Sequence, residues 1–117
     1  MHPVRRLVRA CSRSDVTAVE ACLAAGVTAV CDGGGVADVP AGPVHGAGEV
    51  AALLSGLLGR GSLTVESVNG EPGIVVRSYG GTACAVVAAG CSPTEVTALW
   101  LVLNPAKLTR WHRRDQS

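Results

Sequence analysis

The stretch AVCDGGGVADVPAGPVHGAGEV, residues 29–50, separates two kinds of pattern in this chain. It puts one carboxylate, Asp32, at the end of an apolar run and follows it with Gly33, Gly34 and Gly35. His45 then stands just before a helical pattern. Glycines let the backbone turn sharply and approach other groups closely. Asp32 is therefore either a chemical group at the mouth of a pocket or the polar punctuation of a turn, since Asp-Gly is a common turn pair.

Upstream, the periodicity is helical. Val4, Leu7, Val8 and Cys11 recur at i, i+3, i+4 and i+7 on one face. Ser14-Asp15 then caps a second predicted helix, supplied with apolar residues by Val16, Val19, Cys22 and Leu23 and stopped by Gly26. Residues 27–31 read as a short apolar strand. A third helix is predicted from about Ala47 to Leu58, striped by Val50, Leu53, Leu54, Leu57 and Leu58 and ended by Gly59-Arg60-Gly61.

Downstream, the period changes. Residues 62–68, 73–79, 82–90 and 94–103 are β-branched or apolar runs, divided by Asn69-Gly70-Glu71-Pro72, Gly80-Gly81 and Cys91-Ser92-Pro93. Hairpins in succession give an antiparallel meander. The last run is apolar on both faces from Leu99 onward, so one face packs on the helices while the other must meet a pocket, another sheet or a partner subunit. Helices followed by a curved meander make an α+β arrangement. One compact solution is a cone, a bent sheet wrapped around a helix with a cavity between them.

Composition narrows the function classes. A chain of 117 residues fits one domain, residues 1–117 with a core at about 4–110. Hydrophobic residues make up 48% and charged ones 16%, too apolar for a disordered segment. The net charge of +1 implies neither nucleic acid nor an anionic membrane as partner. Arg5, Arg6, Arg9 and Arg13 at one end, and Lys107, Arg110, Arg113 and Arg114 at the other, read as solvated helix and tail surfaces. The five cysteines include no CxxC pair, so they act as small hydrophobes rather than as a zinc site or disulfide framework. No signal-peptide core and no apolar run of about 20 residues is present, and the expected location is the cytoplasm.

The order helix, helix, VCDGGG, PVHGAGEVAALLSGLL, four strands and LVLNPAKL resembles the SnoaL-like branch of the NTF2-like superfamily. It is most similar to the SnoaL-like extension at the C-terminus of certain extracytoplasmic-function sigma factors. Those extensions show a D-G-G-G-K motif after the first strand and an N-P-D-K-L motif after the last. Asp32-Gly33-Gly34-Gly35 and Asn104-Pro105, with Lys107-Leu108, match them; Val36 replaces the lysine and Ala106 the acid. The resemblance implies the cone fold. It also implies a choice of roles, because the superfamily holds polyketide cyclases and ketosteroid isomerase beside the sigma-factor extensions, whose motifs are associated with control of sigma activity.

On the enzyme side, the resemblance puts Asp32 where an isomerase-like aspartate moves a proton next to a carbonyl. Desolvation in a hollow of Ala, Val and Leu would raise its pKa toward that of a general base. His45 or Tyr79 would hold the developing oxyanion, with help from glycine N–H groups. Trp100, Gly33, Gly34 and Leu54 are the candidate ligand contacts. The substrate would be a small apolar, carbonyl-bearing, polyketide-like molecule handled without cofactor or metal. The rival expectation is a non-catalytic ligand-sensing or interaction module, with a sigma factor or RNA polymerase as partner. A homodimer through the outer sheet face is expected in either case. Glu66 and Arg77 are expected to pair across an exposed face.

Overall fold

The computed structural model describes residues 1–59 and 61–113; Arg60 and Arg114, which belong to the predicted helix stop and to the C-terminal basic cluster, lie outside the described residues. Helix α1, Pro3–Ser12, starts where the His2 imidazole accepts from the Val4 N–H. Helix α2, Val16–Ala21, starts at Asp15, whose Oδ1 accepts from the Ala18 N–H at 3.1 Å, the predicted cap. The predicted second helix, however, extends too far. From Leu23 the chain is already strand β1, Leu23–Asp32, and Gly26 lies within it. Tertiary pairing wins over local pattern here. The Val96 N–H donates to the Cys22 carbonyl, and β1 lies alongside the last strand from Leu23 to Asp32.

After β1 come β2 (Val44–His45), α3 (Ala47–Leu58), β3 (Ser62–Val68), β4 (Glu71–Arg77), β5 (Ala83–Cys91) and β6 (Val96–Val102). The one sheet has the order β2-β1-β6-β5-β4-β3. Strands β3 to β6 form the predicted antiparallel meander. The sheet as a whole is mixed rather than antiparallel, because β1 runs parallel to β6. A parallel neighbour needs a long crossover, which α3 and the meander supply. Two short 3-10 turns, Pro105–Lys107 and Thr109–Trp111, follow β6.

Strand alternation sorts side chains to two faces. Odd residues of β1 and β6, including Val27, Ala29, Leu99 and Leu101, point to the three helices. There they pack with Leu7, Leu54, Leu58 and Ile74, all essentially inaccessible to solvent. The space between helices and sheet is a solid core, so the cavity expected there is filled. Cys11 and Cys22 belong to that core, and burial pushes the Cys11 thiol up to about 11; Cys91 is exposed. The opposite face has a smaller cluster of Val68, Val75, Ala83, Val86 and Leu108, onto which the C-terminal turns fold. The α+β layering is as expected; the open space is on the other side of the sheet.

Candidate functional site

On the face away from the helices lies a hollow of about 530 Å³. Its floor is Val86 and Ala88 of β5 with Val102 of β6, and Trp100 stands on the same strand. Val68, Asn69 and Glu71, at the β3–β4 turn, form one wall. Lys107, Arg110 and Trp111 of the C-terminal turns complete the lining, and Arg110 and Trp111 also lie beside Ser67 and Asn69. Even residues of β6 point this way because odd ones point to the core. That is why Trp100, in mid-strand, remains 50% exposed.

The C-terminal turns are held by Arg77, which is only 6% exposed. Its Nε donates to the Trp111 carbonyl at 2.9 Å, and its Nη2 donates to Glu66 Oε1 at 3.1 Å. Arg77 Nη1 donates to the other oxygen, Oε2, making a two-pronged pair. The predicted Glu66–Arg77 pair thus exists but is covered by the C-terminal segment instead of lying on an exposed face. Hydrogen bonding from Arg77 pulls the Glu66 carboxyl down from 4.5 to about 2. Further along, the Ala83 N–H donates to His112 Nδ1 at 2.8 Å and the Arg113 N–H to the Gly81 carbonyl at 2.8 Å. Gly81 has φ +89, and a Cβ there would come within 2.0 Å of the Arg113 carbonyl oxygen. No local sequence pattern signals these anchors, which join residues about 30 positions apart.

Asp32 does not enter this hollow as a lining residue, and it is not dry. Its side chain is 37% exposed and sits 2.7 Å from Lys107 Nζ. Its Oδ1 accepts from the Gly34 N–H at 3.0 Å, the Asp-Gly turn weighed above. Lys107 foremost, then the Gly34 N–H and Asn104, hold the carboxyl below its ordinary value. The expected shift was upward; the neighbouring cation and the access to water reverse it. Gly34, at φ +62, packs so tightly that a Cβ would lie 2.4 Å from the Asn104 side chain. The two sequence motifs therefore form one unit that ties the end of β1 to the turn after β6.

The other candidates are scattered. His45 is exposed in β2, with Nδ1 3.2 Å from Thr28 Oγ1. Thr28 is four residues from Asp32 along β1, roughly 13 Å away. Tyr79 is fully exposed in the β4–β5 turn. Leu54 is fully buried on α3 in the core and does not line the hollow. Gly33 is buried, and its carbonyl accepts from the Val36 and Ala37 N–H groups. The Gly34 N–H is already committed to Asp32, so it is not a free oxyanion donor. Of the candidates only Trp100 lines the hollow, on the sheet face opposite the expected cavity. Lys107 was legible as a motif residue and Arg110 as part of a basic C-terminal segment, while Trp111 carried no signal of its own.

No family model and no curated protein matches the sequence. Among solved structures, the extracytoplasmic function sigma factor SigJ of Mycobacterium tuberculosis is 28% identical, with a TM-score of 0.69 over 92% of this chain. An NTF2-like protein of unknown function from Cytophaga hutchinsonii matches over 92% of this chain and 91% of its own, at 14% identity and a TM-score of 0.59. The fold is NTF2-like. TerC co-crystallized with polyporic acid matches at 14% identity and a TM-score of 0.61, over 93% of this chain and 94% of its own. The likeness to SigJ is to its SnoaL-like domain, in line with the sequence resemblance, and this NTF2-like domain spans 43% of the length of SigJ. SnoaL-like enzymes and sigma-factor extensions share the fold. No helix among the described residues of the domain is long and apolar enough to cross a membrane.

Proposed function

We propose that this NTF2-like domain is a non-catalytic binding module whose ligand sits on the sheet face opposite the helices. The observation that carries this reading is the apolar hollow between Trp100 and Trp111, whose volume falls within the range usual for small-molecule sites. Its only carboxylate among the described residues is Glu71. The rival reading, cofactor-free proton transfer on a polyketide-like carbonyl compound, needs a dry carboxylate with a raised pKa beside an oxyanion holder. Asp32 is wet, ion-paired and shifted downward, and His45 and Tyr79 are remote from the hollow.

The likeness to SigJ supports a module over an enzyme, since there the similar region belongs to a longer sigma-factor chain. Contact with a sigma factor through the two motifs has weaker support: exposed Val36 and Ala106 stand where the motifs carry a lysine and an acid. TerC, co-crystallized with polyporic acid, supports the idea that a domain of this fold accommodates a small molecule. The test is a titration with a neutral flat probe, naphthamide. The expected result is saturable binding at one site, lost in Trp100→Ala and kept in Asp32→Asn. Absence of saturable binding to the folded chain, or its loss in Asp32→Asn alone, would sink the proposal.

A further inference from the structure

We infer that the hollow between Trp100 and Trp111 takes a flat apolar molecule carrying a single negative charge, such as an aromatic carboxylate. This rests on the binding-module reading and adds the charge class of the ligand. The floor of Val86, Ala88 and Val102 offers no side-chain polar group, so the body of the ligand must be apolar. The charged groups of the lining are two cations, Lys107 and Arg110, and one carboxylate, Glu71.

The two cations differ in what they already hold. Lys107 directs one of its three N–H donors at Asp32. The Arg110 guanidinium lies over the Trp111 ring, 5.1 Å from its centroid. It makes no ion pair among the described residues. A ring resting on the floor against the indoles brings its carboxylate to the open fork of Arg110 and the remaining donors of Lys107. A planar fork suits a carboxylate, and arginine tolerates the partial drying that stacking on an indole imposes. Glu71, in the same lining, repels a second negative charge, which sets the limit of one charge.

The chain's two tryptophans both line the hollow, so their indole N–H signals in proton–nitrogen correlation spectra report on it directly. The full chain is titrated with naphthoate and with naphthamide, which share a ring and a shape. Expected are shifts of both indole signals with either probe and binding of naphthoate about tenfold tighter at low salt, a gap that added salt narrows. Arg110→Gln brings the two affinities close together by weakening naphthoate only. Equal affinities in the native chain would overturn the charge assignment while leaving the module intact. If neither probe moves the indoles, the module reading falls as well. A preference for naphthoate that survives both Arg110→Gln and Lys107→Gln places the anion elsewhere and overturns the inference. So does a dimer in solution that Trp100→Glu dissociates and that binds neither probe, for the face is then a subunit interface.

Discussion

Lys107 Nζ stands 2.7 Å from Asp32 Oδ2, joining the turn after the last strand to the end of the first across 75 positions of sequence. The pair is exposed, so it acts as a positional tie more than as a source of stability. Lys107 holds the Asp32 carboxyl below its ordinary value. A carboxyl depressed in the folded state contributes stability above its unfolded pKa, and that contribution is lost as pH falls through the folded value. Asp32→Asn should therefore be slightly less stable than the native chain at neutral pH. The two should converge in acid and in high salt, as read by thermal melts across pH. A native chain that gained stability on acidification through this range would contradict the assignment.

Gly34 has no tolerance for a side chain. Its φ of +62 and its contact with Asn104 act together. The left-handed conformation alone costs a non-glycine residue about 1–2 kcal/mol. Gly34→Ala should lose at least that much in denaturant titrations. Asn104→Ala in the same background should recover the part that comes from the clash, and a double-mutant cycle separates the two. Strictly additive losses would mean that the side chains do not meet.

The buried Arg77 makes Glu66 more important than its position on an edge strand suggests. Glu66→Gln keeps the shape and one acceptor oxygen but removes the charge and turns the second acceptor into an NH2 donor facing the Arg77 guanidinium. A loss of about 1–3 kcal/mol is expected from hydrogen bonds to a charged group left unmatched. The Glu66 carboxyl is depressed from 4.5 to about 2, so the native chain should lose stability as pH falls below 4.5, and the Gln variant should not share that part of the loss. Chemical denaturation at stepped pH measures both.

Leu54 belongs to the core. Leu54→Ala should cost about 2–5 kcal/mol, the usual range for truncating a buried leucine. The fraction that stays folded should bind naphthamide as well as the native chain does. Weakened binding by that folded fraction would move the site back between helices and sheet.

Much of this architecture was legible because it depends on period alone. The spacing of Val4, Leu7 and Cys11 marks a helix, and the runs flanking Asn69-Gly70 mark strands, wherever the rest of the chain lies. The end of α2 was not legible, because Cys22 and Leu23 fit a helical stripe as well as a strand. Only pairing with Val96 ends the helix at Cys22 and draws Leu23 into β1. The parallel placement of β1 against β6 was hidden for the same reason.

The sequence by itself determined the α+β order, the helix starts, the meander and the linked glycine and Asn-Pro motifs, since each is a local consequence of side-chain spacing and backbone freedom. Only the tertiary structure decided which face of the sheet is solid and which is hollow. That choice depends on how Leu54, Leu99 and Leu101 fill the space under the helices, a matter of volumes meeting across the fold. It also decided the state of Asp32, because a carboxylate's charge answers to the cation beside it, and Lys107 reaches that place only when the chain has closed.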